Sequence, residues 1–163
     1  MTMTKVVPFR NDMVGSFLRP KAIKEAREAV KEGKLSQEGL HKIEDREIRN
    51  LVEKQVEVGL KAVTDGEFRR SWWHLDFMWG LDGVEKSATE SGLAFNGIET
   101  RKESASITGK IDFSTHPFVE DYNYLASIVP EGVIAKQTLP SAVQFLYEIT
   151  KPHNIENTKK AIS

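Results

Sequence analysis

The residues with the clearest chemical potential are Asp65, Glu67, Arg69 and Arg70, in the run Val63-Thr64-Asp65-Gly66-Glu67-Phe68-Arg69-Arg70. Two carboxylates separated by a glycine follow a short apolar stretch (Leu60, Ala62, Val63), and two guanidinium groups come directly after them. A carboxylate such as Glu67 could hold an ammonium group, and Ser16 with the backbone N–H groups around Gly15 could hold a carboxylate. Together they suit an amino-acid zwitterion. The next residues, Ser71-Trp72-Trp73-His74-Leu75-Asp76-Phe77-Met78-Trp79, set large rings beside the charged cluster, as in the wall of a ligand cleft. That makes Asp65, Arg69, Trp73 and His74 further candidates for substrate contact. Each has a plainer reading. Ser16 also reads as a turn or cap serine, and Glu67 as an ion-pair partner of Arg69 or Arg70, worth little at a surface. His74 also reads as a structural residue, and the rings as ordinary core.

The glycine between the acids points to what must position them. An apolar run that breaks into Asp-Gly-Glu reads as the C-terminal tip of a buried parallel strand opening into a loop. Ligands of such sheets bind along the carboxyl ends of the strands. Three segments would share that edge: Gly15-Ser16, Asp65-Gly66-Glu67 and Lys136-Gln137-Thr138. Met13-Val14 is read as the end of a first strand. Pro20 opens a helix over Lys21 to Lys31 that stops at Gly33. Ser36 caps a second helix, in which Leu40, Ile43, Ile48, Leu51/Val52 and Val56 step around at helical spacing up to Gly59. A second strand follows, giving a βα unit with a right-handed crossover. Between residues 80 and 115, Gly83, Gly92, Gly97 and Gly109 punctuate short alternating runs, which argues for antiparallel hairpins inserted in the α/β frame. His116-Pro117-Phe118 starts another helix, Val133 to Thr138 is a third parallel strand, and Ala142 to Thr150 is the helix after it.

Composition bounds the function classes. The 163 residues suffice for one domain but not for a complete eight-fold α/β barrel, which takes about 250. With 23 basic and 24 acidic side chains the net charge is -1, so neither nucleic acid nor an anionic membrane is favoured as a partner. No long apolar span or signal-peptide pattern is seen, and a cytoplasmic location is expected. There is no cysteine, which removes disulfides, thiolate catalysis and thiolate metal sites. The four histidines (His41, His74, His116, His153) show no close metal-ligand spacing. No metal ligand and no catalytic residue is assigned.

Three motifs occur in a telling order: Val14-Gly15-Ser16-Phe17-Leu18-Arg19-Pro20, then Val63 to Trp73, then Lys136-Gln137-Thr138-Leu139-Pro140-Ser141. In this the chain resembles the cobalamin-independent methionine synthase family, particularly its short single-barrel members, from about Phe9 to Thr150. The resemblance implies a (β/α)8 TIM barrel, here about the first three βα units with the hairpin region inserted, in a single incomplete domain. It implies methyl transfer to the thiolate of homocysteine, with methyltetrahydrofolate as donor and zinc activating the sulfur. It places Gly15-Ser16 at the amino-acid carboxylate, Glu67 at the amino group, and the hairpin around Arg101 to Gly109 in the folate site. The tryptophan that full-length enzymes carry after the third strand has no counterpart near Phe145-Leu146.

The family's zinc ligands, a histidine, two cysteines and a glutamate on later strands, are not matched. Without such a set a homocysteine thiol, with a pKa of about 8.5, stays mostly protonated. The expectation is an N-terminal fragment that carries the loops for an amino-acid thiol, holds no cofactor itself, and is inactive without a complementing C-terminal half. The alternative is a non-catalytic amino-acid-binding module that self-associates as a homodimer through open sheet edges.

Overall fold

The start of each N-terminal helix is written in its first residues. In a computed structural model that describes residues 13–88, 94–95, 98–99, 102–150 and 155, Pro20 precedes α1 (Lys21–Lys31) at the cap position. Its missing N–H costs nothing there. Ile23 and Ala26 form the buried side of α1, and Gly33 ends the turn after it at φ 70°. The Ser36 hydroxyl accepts the Gly39 N–H (3.1 Å) at the start of α2 (Gln37–Glu57). Leu40, Glu44, Ile48, Val52 and Gln55 make one buried face of α2, and Gly59 at φ 90° releases the chain into β1 (Ala62–Val63).

There follow α3 (Leu75–Met78), β2 (Asp82–Ala88), β3 (Ala94–Phe95), β4 (Ile98–Glu99) and β5 (Glu103–Asp112). Then come α4 (Pro117–Ile128), β6 (Ile134–Ala135) and α5 (Ala142–Ile149). The chain forms two compact units, Met1–Arg70 with Asp121–Thr138, and Ser71–Glu120 with Leu139–Ser163.

In the first unit β1 and β6 pair in parallel, Ala62 against Ile134 and Val63 against Ala135. Ile23, Ile48, Val52, Val63, Phe68 and Leu125 form its core, so both N-terminal helices and α4 pack over this strand pair. Burying each such side chain stabilises by about 1.5–3 kcal/mol. A groove of about 390 Å³ lined by Val52, Val56, Ile128 and Pro130, among others, lies at the last turns of α2 and the end of α4. Those helix ends lead to the start of the strands, so this groove is not at the strand tips.

In the second unit β2 and β5 pair antiparallel, and β3 pairs with β4. The β2–β5 register shifts between Asp82 and Val84. Gly83 sits at that shift with φ 70°, where a Cβ would run into the Lys110 carbonyl. Leu75, Met78, Val84 and Ala105 form the core, with Trp72, Trp79, Leu81 and Phe145 packed against it.

Two expectations change. Met13 and Val14 lie in no strand, and Val14 is exposed. Their segment is tied by side chains instead: the Lys136 Nζ donates to the Met13 carbonyl and the Thr64 hydroxyl to the Gly15 carbonyl. The residues before Met13, and the expected turns at Gly92 and Gly97, lie outside the described residues. The third strand is a two-residue pair rather than the whole of Val133 to Thr138, because the chain turns away beyond Lys136.

Candidate functional site

The loop after β1 is built from its backbone outward. Thr64, at the strand tip, donates its hydroxyl to the Gly15 carbonyl (2.8 Å) and accepts the Gly66 N–H (3.2 Å), so one side chain ties two loops. Gly66 and Glu67 both take left-handed backbone, at φ 69° and φ 57°. Glycine adopts that at no cost, whereas for glutamate it is strained. The strain is held by three contacts. Asp65 Oδ1 accepts the Glu67 N–H (2.9 Å), Arg19 Nη2 donates to the Glu67 carbonyl (3.2 Å), and the Phe17 N–H donates to the Gly66 carbonyl (3.1 Å).

The result is a glutamate presented from a fixed backbone. Glu67 is 8% exposed, and its Oε1 accepts from the Thr138 hydroxyl (2.8 Å) and lies 3.3 Å from Arg70 Nη1. Arg70 Nη2 in turn donates to the Thr138 carbonyl (2.7 Å). Gly15 closes the ring of contacts. A Cβ there would run into Thr138 Cγ2 and lie 3.1 Å from Glu67 Oε1. Gly15, Glu67 and Thr138 thus meet, and Ser16 is exposed beside them. Two further groups at the tips of β1 and β6 are buried without a hydrogen-bond partner among the described residues: Asp65 Oδ2 and both polar atoms of the Gln137 amide. Buried polar atoms left unpaired cost about 1–3 kcal/mol each unless a ligand or water satisfies them.

The other candidates have partners of their own. Asp65, 2% exposed, serves the Glu67 backbone as described. Arg69 is committed to three carboxylates: it pairs with Asp45, its Nε lies 3.0 Å from Asp121 Oδ1, and its Nη1 lies 3.6 Å from Glu44. It also sits 5.2 Å from the Tyr124 ring centroid. Burial works against the Arg69 charge, but Asp45, Asp121 and Glu44 together raise its pKa. Asp121 moves the other way for an acid in an ion pair, up to about 6. Burial dominates there, with Asp65 and Glu44 adding repulsion, and Arg69 and Arg70 only partly opposing it. The two shifts are consistent, because Arg69 faces three acids at once, whereas at Asp121 burial and neighbouring acids outweigh the attraction of the arginines.

Trp73 and His74 belong to the second unit. Trp73 is 51% exposed, and its ring lies 4.5 Å from that of His74. His74 Nε2 lies 3.8 Å from Glu148 Oε2, and Glu148 Oε1 accepts from the Ser104 hydroxyl (2.5 Å). His116 starts α4 as expected: its Nδ1 accepts the Phe118 N–H (3.1 Å), which leaves Nε2 to donate to the Phe77 carbonyl (2.9 Å). Sequence reading missed Thr138 and Glu148 as contact residues. Glu148 was visible as the only charge in the apolar helix AVQFLYEI.

The described residues do not fit a zinc ion. No group of three or more His, Asp or Glu side chains converges among them, and no cysteine is present to add thiolate. Among the described residues no helix is long and apolar enough to cross a membrane.

Comparison with known proteins identifies the family. A family model described as the catalytic domain of cobalamin-independent synthase matches residues 9–144. The uncharacterised Bacillus subtilis (strain 168) proteins YxjG and YxjH are 50% and 49% identical over 84% and 82% of the chain. A methionine synthase of Sulfolobus acidocaldarius is 28% identical over 71% of it. A Listeria monocytogenes structure, a candidate vitamin-B12-independent methionine synthase, superposes with a TM-score of 0.73 at 42% identity, over 96% of this chain and 46% of that one. The chain spans 36% and 35% of the length of YxjG and YxjH. Its mixed α/β fold is similar to that of the Listeria protein, and the chain belongs to the cobalamin-independent methionine synthase family, through that family's catalytic domain.

Proposed function

We propose that the chain is the amino-acid-recognition part of a methionine-synthase-like methyltransferase, serving methyl transfer from a folate-type donor to homocysteine or a related thiol. One observation carries the reading. Glu67 is held on a strained backbone at the tip of a parallel strand, beside Gly15-Ser16, with a carboxylate fixed for a cation. Glu67 takes the ammonium group, and Ser16 with neighbouring N–H groups takes the carboxylate. In this reading β1 and β6 belong to the first three βα units of a (β/α)8 barrel, and the antiparallel strands of residues 80–115 are an insertion that serves the donor. The protein is cytoplasmic. Thiol activation falls to residues outside these 163, in a complementing C-terminal half, so no step through zinc is assigned here.

Calorimetric titration of the chain with L-homocysteine and L-methionine tests the site. Glu67→Gln is expected to weaken both by at least about tenfold, the loss of one charge-assisted hydrogen bond. Equal affinity in the variant overturns the reading, and so does zinc-dependent methyl transfer by the pure chain.

A second reading, a self-associating binding module, is favoured by α5, whose Val143, Leu146 and Tyr147 are all exposed while its one acid is buried. Light scattering decides it: a discrete dimer supports the module, a monomer opposes it.

A further inference from the structure

Glu67 treats its two carboxylate oxygens differently. Oε1 takes the Thr138 hydroxyl at 2.8 Å and Arg70 Nη1 at 3.3 Å. Oε2 accepts no hydrogen bond among the described residues, yet it is not one of the sealed, unpaired buried atoms. It is therefore the oxygen left open. The division does not come from Glu67 itself, since a free carboxylate rotates and its oxygens exchange. It is imposed by partners that come from far along the chain. Thr138 stands 71 residues away, and its own carbonyl accepts from Arg70 Nη2 at 2.7 Å. Arg70 thereby grips Glu67 and Thr138 together, while Arg19 Nη2 donates to the carbonyls of Glu67 (3.2 Å) and Arg70 (2.7 Å). Gly15 supplies the room: a Cβ there would lie 2.8 Å from Thr138 Oγ1 and 3.1 Å from Glu67 Oε1.

We infer that Thr138, in the space that Gly15 leaves, is a positioning residue that assigns Oε1 of Glu67 to the protein and reserves Oε2 for the ammonium group of an α-amino acid. The inference rests on the amino-acid-site reading and deepens it, because it says how the site tells an α-amino acid from the same acid without its amino group. A ligand with no ammonium leaves Oε2 desolvated and unpaired, which is the strongest kind of discrimination a small polar site has. If Oε2 is fixed, the discrimination is large. If the carboxylate swings onto Arg70 with both oxygens, in the bidentate geometry guanidinium prefers, the ammonium loses its acceptor. The Thr138 hydroxyl is what prevents that swing.

The test is calorimetric titration of the full chain with two probes, L-methionine and 4-(methylthio)butanoate, which lacks only the amino group. The quantity read is the ratio of their dissociation constants. The wild-type chain should favour methionine by roughly tenfold to a hundredfold, as for a hydrogen bond to a charged group. Thr138→Val keeps the shape and removes the hydroxyl, so the ratio should fall toward one while affinity for the butanoate stays unchanged. Thr138→Ser keeps the hydroxyl and should keep the ratio. A Thr138→Val chain with the wild-type ratio overturns the inference and leaves the site intact, and so does one that weakens both probes equally. A wild-type chain that binds neither probe, or binds both alike, overturns the amino-acid site itself. Should Thr138→Val not fold, Gly15→Ala carries the comparison. It crowds the same hydroxyl and must lower the ratio that Thr138→Ser preserves, and a ratio unchanged in Gly15→Ala overturns the inference.

Discussion

The side-chain amide of Gln55, in the last turn of α2, hydrogen-bonds both backbone polar groups of Thr64. Its Nε2 donates to the Thr64 carbonyl at 2.8 Å, and its Oε1 accepts the Thr64 N–H at 3.0 Å. Both residues are buried, so one side chain does for the tip of β1 what a neighbouring strand would do. Gln55→Leu keeps the size but leaves a donor and an acceptor of Thr64 without water. We predict a loss of about 2–4 kcal/mol in urea unfolding, since each such group costs about 1–3. A loss under about 1 kcal/mol would show that water reaches the strand tip.

Asp121 gives a pH signature. Its carboxyl is raised from the usual 3.8 to about 6, mainly by burial. The folded chain therefore holds this proton more tightly than the unfolded chain does. The contribution of Asp121 to stability is full below about pH 4 and is lost as pH rises to about 6. The amount is at most about 3 kcal/mol, at 1.36 per pKa unit. Asp121→Asn cannot ionise. Its melting temperature relative to wild type should climb between pH 4 and 6 and level off above, as thermal scans in one buffer series will show. A difference that is flat across the window would place Asp121 in contact with solvent.

Removing the cation from the same cluster acts in the opposite sense. Arg69→Met leaves Glu44, Asp45 and Asp121 facing one another, with Arg27 reaching only Glu44, at 3.3 Å. Breaking a buried ion network by deleting one partner costs about 3–5 kcal/mol. The melting temperature of the variant should recover on acidification, as the stranded carboxyls take up protons. A variant equally unstable at pH 4.5 and 7.5 would argue that the Arg69 stem, and not its charge, supplies the stability.

The backbone at Glu67 separates stability from recognition. Glu67→Gly and Glu67→Ala both delete the carboxylate, but only glycine is at ease at φ 57°. The glycine variant should be the more stable of the two by about 1 kcal/mol in denaturant titrations, and neither should bind L-methionine. Equal stabilities would mean that the loop relaxes out of the left-handed region once the carboxylate is gone.

Crowding at Gly15 can be relieved in part from the other side. Gly15→Ala should destabilise by about 1–3 kcal/mol, as overpacking does, because the new methyl meets Thr138. Adding Thr138→Ser removes the Cγ2 that it strikes and should recover part of the loss in a double-mutant cycle. Additive losses would mean that the loop carrying Gly15 moves away as a body.

What the sequence disclosed follows the range of the interaction responsible. The bounds of α1, the Ser36 cap and the release at Gly59 rest on neighbours within four residues, and all three are found where the pattern puts them. The family was legible because Gly15-Ser16, Asp65-Gly66-Glu67 and Lys136-Gln137-Thr138 are short strings standing in one order along the chain. The partners of Arg69 were not legible. Asp45 is 24 residues away from it on α2, and Asp121 lies on α4, so nothing local distinguishes this arginine from Arg70. Thr138 lies inside the third motif, but its contact with Glu67 depends on the absence of a side chain at Gly15, which no pattern at Thr138 records. Met13-Val14 is not a strand end for a related reason, since the carbonyls of Met13 and Gly15 are satisfied by the side chains of Lys136 and Thr64 and need no neighbouring strand.

The bonds around Glu67 join residues 49, 68 and 71 positions apart, across a parallel ladder of two residues per strand. Such contacts are slow to form, because the loop between their ends must close before any of them stabilises the chain. The paired helices α1 and α2 need no such closure and should be in place early. During synthesis the Glu67 loop would emerge long before Thr138 and wait, unclasped, while about 70 more residues are added. If the site takes an amino acid as proposed, that ligand would meet a finished clasp only at the end of folding, and by holding it shut would slow the first step of opening.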